Sequence, residues 1–176
     1  MTMLLIPDAG PLFSLAAADL LDVLAHFRVG ITDVAKQETI DQGKSPQASL
    51  EARRLLSFYK ANKANLKIFK TQVGHDLQQM RRKYPDRKGP ANVGELSIQS
   101  LLIHLQMQAS GETPVVLFED AWFLRNAAAL AKPCTVLSTQ AFLVNAERLG
   151  LIASAAEARQ AIAARRPMAY SDDFRR

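Results

Sequence analysis

The sequence predicts an α/β fold, a three-layer α/β/α sandwich around a short, mainly parallel sheet. Met3-Leu4-Leu5-Ile6 and Pro114-Val115-Val116-Leu117-Phe118 are apolar runs too short for helices and bounded by turn formers, the pattern of strands buried on both faces. Segments with apolar residues at helical spacing follow these runs, so strands and helices alternate. Parallel neighbours joined by right-handed crossovers then cover both faces of the sheet.

The first strand ends at Pro7, with Asp8 at its edge. Leu12, Leu15 and Ala16, then Leu20, Leu21 and Leu24, predict two short helices with Asp19 capping the second. Residues 27–32 form a second strand. Thr32 or Asp33 caps the next helix, which carries Glu38 and ends at Gly43. Ser45-Pro46 has the pattern of a helix opening, followed by the stripe Ala52, Leu55, Leu56, Tyr59. Residues 66–69 form a third strand, nearer an edge because Lys67 interrupts it. Leu77, Met80 and Tyr84 mark a helical face that dissolves into the stretch 85–90.

Residues 92–108 give the strongest helical signal, with Ile98, Leu101, Leu102 and Leu105 as its stripe and Asn92 and Glu95 at capping-box spacing. After the strand 114–118 comes a helix with Phe123, Leu124, Ala127, Ala128 and Ala131 on its apolar side. A last strand at 135–137 precedes helices at 139–149 and 154–164, the latter opened by a Ser154-x-x-Glu157 box. Residues 1–166 are expected to form one domain and 167–176, which lack periodicity, a C-terminal tail.

The single cysteine, Cys134, cannot form an internal disulfide, and His26, His75 and His104 share no metal-site spacing with it. No secretory leader or membrane-spanning run is expected, so the chain fits a reducing cytosol. A net charge of +5 favours an acidic or polyanionic partner without choosing one.

Each acid singled out has an ordinary local role. Asp8 and Asp120 could cap helices, and Glu95 could belong to a capping box. Their common placement points further. Asp8 and Glu119-Asp120 follow buried strands and Glu95 opens a helix, positions that face the crevice outside the carboxyl ends of an open sheet. Carboxylates meeting there repel, so the cluster needs protons or a hard cation, and Mg²⁺ or Mn²⁺ suits an all-oxygen set. Such an ion could activate water against a phosphodiester. Neighbours on a strand point to opposite faces, so only one of Glu119 and Asp120 can share the crevice with Asp8, and strand geometry alone leaves either open. Arg81, Arg82, Lys83, Arg87 and Lys88 could hold an RNA backbone beside this site, with Tyr84 stacking on a base. The ordinary account of these cations is a solvated helix end that complements the dipole.

The order Leu5-Ile6-Pro7-Asp8-Ala9-Gly10-Pro11-Leu12, Ile31-Thr32-Asp33-Val34, Gly94-Glu95-Leu96-Ser97 and Val116-Leu117-Phe118-Glu119-Asp120, with Arg125 and Ala128 beyond, resembles the PIN-domain family, in its branch related to toxin–antitoxin ribonucleases. The resemblance spans roughly residues 3–152. It implies a Mg²⁺- or Mn²⁺-dependent endoribonuclease with Asp8, Glu95 and Asp120 as its acids, Glu119 being the alternative metal ligand. It also implies a small antitoxin and a homodimeric partner. Glu38 matches a commonly acidic position, taken as more structural than catalytic. Where the family often has a fourth acid, this chain has Ser138 and Thr139, hydroxyls that could position a metal-bound water. The competing expectations are a catalytically weak domain that binds RNA or protein, and a hydrolase acting on a small phosphate substrate.

Overall fold

Asp8 ends the central strand of a sheet in which every pairing among the described residues is parallel. The computed structural model describes residues 2–109 and 111–169. The strands are β1 (Thr2–Pro7), β2 (Arg28–Thr32), β3 (Leu66–Phe69), β4 (Glu112–Phe118) and β5 (Thr135–Ser138), in the spatial order β3-β2-β1-β4-β5. The chain builds outward from β1 through β2 to β3, then crosses back to lay β4 on the other side of β1. The strand order reverses between β1 and β4, and the crevice outside their carboxyl ends is where such sheets bind ligands.

The helices are α1 (Ala9–Ala17), α2 (Asp33–Glu38), α3 (Leu50–Ala61), α4 (Gln72–Lys83), α5 (Val93–Met107), α6 (Trp122–Arg125), α7 (Thr139–Arg148) and α8 (Ala155–Arg165). Leu5, Val29, Ile31 and Leu117 pack on one face against Leu12, Leu15, Leu55, Leu143 and Ile162, from α1, α3, α7 and α8. Leu4, Ile6, Val116 and Phe118 pack on the other against Ile98, Leu101, Leu102 and Leu105 of α5, and Phe123 of α6. The two clusters make the three layers predicted. No helix among the described residues is long and apolar enough to cross a membrane.

Hydroxyl caps start most of these helices: Thr32, Ser49, Thr71, Ser138 and Ser154 each accept the amide three residues on. Several local expectations give way to tertiary contacts. Leu21–His26 is a 3-10 helix, and Asp19, which caps nothing, has φ 60° and pairs with Arg54. α2 stops at Glu38 rather than Gly43, which lies in a second 3-10 segment, Ile40–Lys44, packed against the backbone of Ala52. Ser45 closes a turn by accepting the Gln47 amide, so Ser49 opens α3 instead. Asn92 is left-handed, φ 56°, and its side chain does not cap. The helix predicted after Asp120 is only α6 plus a 3-10 turn, Ala127–Ala129. Of the tail expected at 167–176, residues 170–176 lie outside the described residues, while 167–169 form a turn closed by the Ala169 amide on the Arg166 carbonyl.

One buried hydroxyl relay fixes α5 to the sheet. The Thr32 oxygen accepts the Ala35 amide, and the Ser97 hydroxyl donates to the Gly94 carbonyl at 2.6 Å. The Thr32 proton therefore goes to Ser97, 2.8 Å away. Both side chains are fully buried. Ser97→Ala orphans the Thr32 hydroxyl and is expected to cost roughly 1–3 kcal/mol. Urea denaturation checks this, and an unchanged midpoint would remove the relay from the forces that hold α5.

Candidate functional site

Strand alternation continued past the strand ends decides which acids meet. Leu4 and Ile6 face α5, so Asp8, two residues on, falls on that side; Val116 and Phe118 do the same for Asp120. Glu119 continues the set Val115, Leu117, which faces α1 and α8. Its carboxylate pairs there with Arg166 at 3.1 Å. Of the two adjacent acids, Asp120 is therefore the one whose charge acts on Asp8.

Asp8 stands at the N-cap of α1 but makes no side-chain cap bond, and it is 9% exposed. Glu95 lies half-buried in the first turn of α5, released from the capping box by the left-handed Asn92. Glu38, half-buried at the end of α2, completes the set. A side-chain carbon at Gly94 would lie 3.4 Å from an oxygen of Asp8 and equally 3.4 Å from one of Glu38. Gly94 thus leaves open the space that these two carboxylates share. Glu38 is the residue of this set that sequence reasoning took as more structural than catalytic; its helix was expected to run on to Gly43, so only the resemblance marked its acidic position.

Burial pushes the Asp8 carboxyl up to about 7, the Ala9 amide opposes this, and the negative charges of Glu95, Glu38 and Asp120 add to it. Burial and Glu95 likewise raise Glu38, against the pull of Arg81. Arg81 also donates to the Gln37 side chain at 3.0 Å, which brings the end of α4 to the rim of the site.

The remaining predicted residues divide. Residues 81–90 are all exposed, with Lys83 and Arg87 flanking the Tyr84 ring at 5.5 and 6.0 Å, and the charge of Arg81 acts on Glu38. Asp120 is exposed and accepts the Trp122 amide at 2.6 Å through one oxygen. Ser138 caps α7, and buried Thr139 donates to the Phe118 carbonyl, so both hydroxyls already serve the backbone.

The donor set consists of carboxylate oxygens, which select a hard cation. Among the described residues no three carboxylate, imidazole or thiol groups converge on one point as a closed ligand set. A hard cation there would have to keep several of its own waters, as Mg²⁺ does, and take only one or two carboxylates directly. Asp8, Glu38, Glu95 and Asp120 are the side chains that could hold it. Compared with family models, curated proteins and solved structures, the chain matches none.

The buried carboxyl makes stability depend on pH. The unfolded chain ionises Asp8 near 3.8 and the folded one only near 7, so between these values the folded state binds more protons. Metal-free stability therefore falls as pH rises across that window, by about 1.4 kcal/mol per unit, and levels off above it. Asp8→Asn removes this loss: the variant should match wild type near pH 4 and exceed it by a few kcal/mol near pH 8. Urea melts across the range test it; parallel curves for the two proteins would mean that Asp8 ionises normally.

Proposed function

We propose that the acidic crevice is the active site of a nuclease that uses Mg²⁺ or Mn²⁺ to hydrolyse RNA phosphodiester bonds. The observation that carries this is a buried carboxylate at the reversal point of a parallel sheet, acted on by three further acids and favouring its protonated form in the absence of a cation. Keeping Asp8 buried beside half-buried Glu38 and Glu95 and exposed Asp120 is costly, and its position at a ligand-binding sheet edge supports the functional reading. A cation held there would lower the pKa of a bound water and offset the charge that grows on a phosphodiester during in-line attack.

The protein's own contribution is placement. Asp8, Glu38, Glu95 and Asp120 would hold the ion, and Arg81 at the rim would draw a phosphate toward it. Arg82, Lys83, Arg87 and Lys88 offer further backbone contacts on the exposed segment beyond, and Tyr84 an aromatic face. The motif order that resembles toxin-related PIN domains supports the same chemistry. On that resemblance alone, the proposal extends to a small antitoxin and a homodimeric partner.

Binding of RNA without cleavage is the second reading. It is favoured by the exposure of Asp120, the commitment of one of its oxygens to Trp122, and the engagement of Ser138 and Thr139 elsewhere.

Incubating the protein with RNA and Mn²⁺ separates the two. Asp8→Asn and Glu95→Gln should each bring cleavage to background while remaining folded, and wild type should gain thermal stability from Mn²⁺ that both variants lose. Metal stabilisation without cleavage in the wild type would favour the second reading. No metal response, with both variants melting below wild type, would make the acids structural.

Salt dependence tests the basic segment. Replacing Arg81, Arg82, Arg87 and Lys88 by Ala should flatten the log–log slope of RNA binding by roughly 0.7 per lost phosphate contact on a single strand. An unaltered slope in the quadruple variant would return these cations to a purely solvated role.

A further inference from the structure

Arg166, just past α8, is far in sequence from every acid of the site and yet joins the two elements that carry Asp8 and Asp120. One nitrogen of its guanidinium donates to the Gly10 carbonyl at 2.8 Å, to the Ser14 hydroxyl and to the Glu119 carboxylate at 3.1 Å, and the group lies over the Phe13 ring. Gly10 is two residues beyond Asp8, and Glu119 immediately precedes Asp120. The approach is close: a side-chain carbon at Gly10 would come within 2.9 Å of the Glu119 carboxylate.

The Glu119 side chain is 9% exposed, and its second oxygen is buried with no hydrogen-bond partner among the described residues. A half-satisfied buried carboxylate is a poor way to stabilise a fold, since desolvation cancels much of the attraction. What the pair does order is the direction of the chain at the end of β4. Holding Glu119 on the α1 and α8 side leaves Asp120, the next residue, directed to the α5 side where Asp8 stands.

We propose that Arg166 and Glu119 form a positioning latch that fixes Asp120 relative to Asp8 from behind the site, an inference that rests on the metal-dependent reading of those acids for its catalytic consequence. Neither residue touches the reacting atoms. The latch makes the end of α8 part of the active unit, so whatever displaces the segment after Arg166 would loosen the acid set.

Two backbone amides report on the latch without any need for activity. The Asp8 amide bonds the Leu117 carbonyl at 2.9 Å, tying the two strand ends, and the Trp122 amide bonds the Asp120 side chain. In Arg166→Ala these amides should exchange with solvent about tenfold faster while core amides of β2 keep their protection. In the Mn²⁺ cleavage assay kcat should fall on the order of 10–100-fold with KM little changed. Arg166→Lys, which keeps the positive charge on a shorter side chain, should recover part of both. Glu119→Gln keeps the shape and loses the charge, and gives the same pattern where Arg166→Ala does not fold.

Unchanged exchange at Asp8 and Trp122 overturns the latch whatever the activity. Loosening spread evenly through β2 overturns it as well, by making Arg166 a general stabiliser. Local loosening with undiminished kcat overturns the positioning role and leaves the nuclease reading standing. If the wild type itself cleaves no RNA, the nuclease reading falls, and the exchange pattern alone decides whether the latch holds the two strand ends.

Discussion

A carboxylate nine-tenths out of water, with three like charges acting on it, is the constraint on which the rest of this structure depends. Left free, such groups would move apart or draw in solvent, and the crevice would lose its shape. Asp8 is kept in place by its position in the chain. β1 is the central strand, paired to β4 from Thr2↔Glu112 to Pro7↔Leu117, and the Asp8 amide extends that ladder by one more bond. Leu4 and Ile6, on the same side of the strand, are anchored under α5. The apolar contacts of these two residues and the β1–β4 ladder together hold Asp8 in an unfavourable place.

The other acids are held by separate means that converge on the same edge. Glu95 follows the first turn of α5, which the Thr32–Ser97 relay ties to the end of β2. Glu38 follows from the shortness of α2, itself started at that same Thr32. One buried threonine thus sets the placement of two carboxylates that are 57 positions apart in number, Glu38 and Glu95, and Gly94 leaves room for the first of them beside Asp8. Small and hydroxylated residues, with Arg81 drawing on Glu38 at the rim, accommodate the acidic cluster.

The strands were legible because short unbroken apolar runs bounded by turn formers are local signals, and the acids at strand ends were legible because a sheet's carboxyl edge follows from the strands. Caps were less so. Ser45, Asp19 and Asn92 each carry a sound local signal, and each is overruled by a contact from elsewhere: Gly43 packed on α3, Arg54 drawing Asp19, the relay fixing the entrance of α5. Glu38 looked like an ordinary helix-end glutamate because the glycine that opens space beside it lies in a different helix. The resemblance named Asp120 over Glu119, but strand geometry alone left the choice open in the sequence; the partner that accounts for where Glu119 goes, Arg166, stands 47 residues later.

Adjacent residues with opposite duties are a consequence of strand geometry with a cost attached. Asp120 can serve the crevice only because Glu119 goes to the other face, and that face is otherwise apolar, built from Leu12, Leu15, Leu117 and Ile162. A carboxylate there demands a cation, and Arg166 supplies it while also reaching the Gly10 carbonyl and the Ser14 hydroxyl. The acidic site on one side of the sheet and the ion pair on the other are therefore two ends of a single structural problem: how to terminate two parallel strands side by side with charged residues.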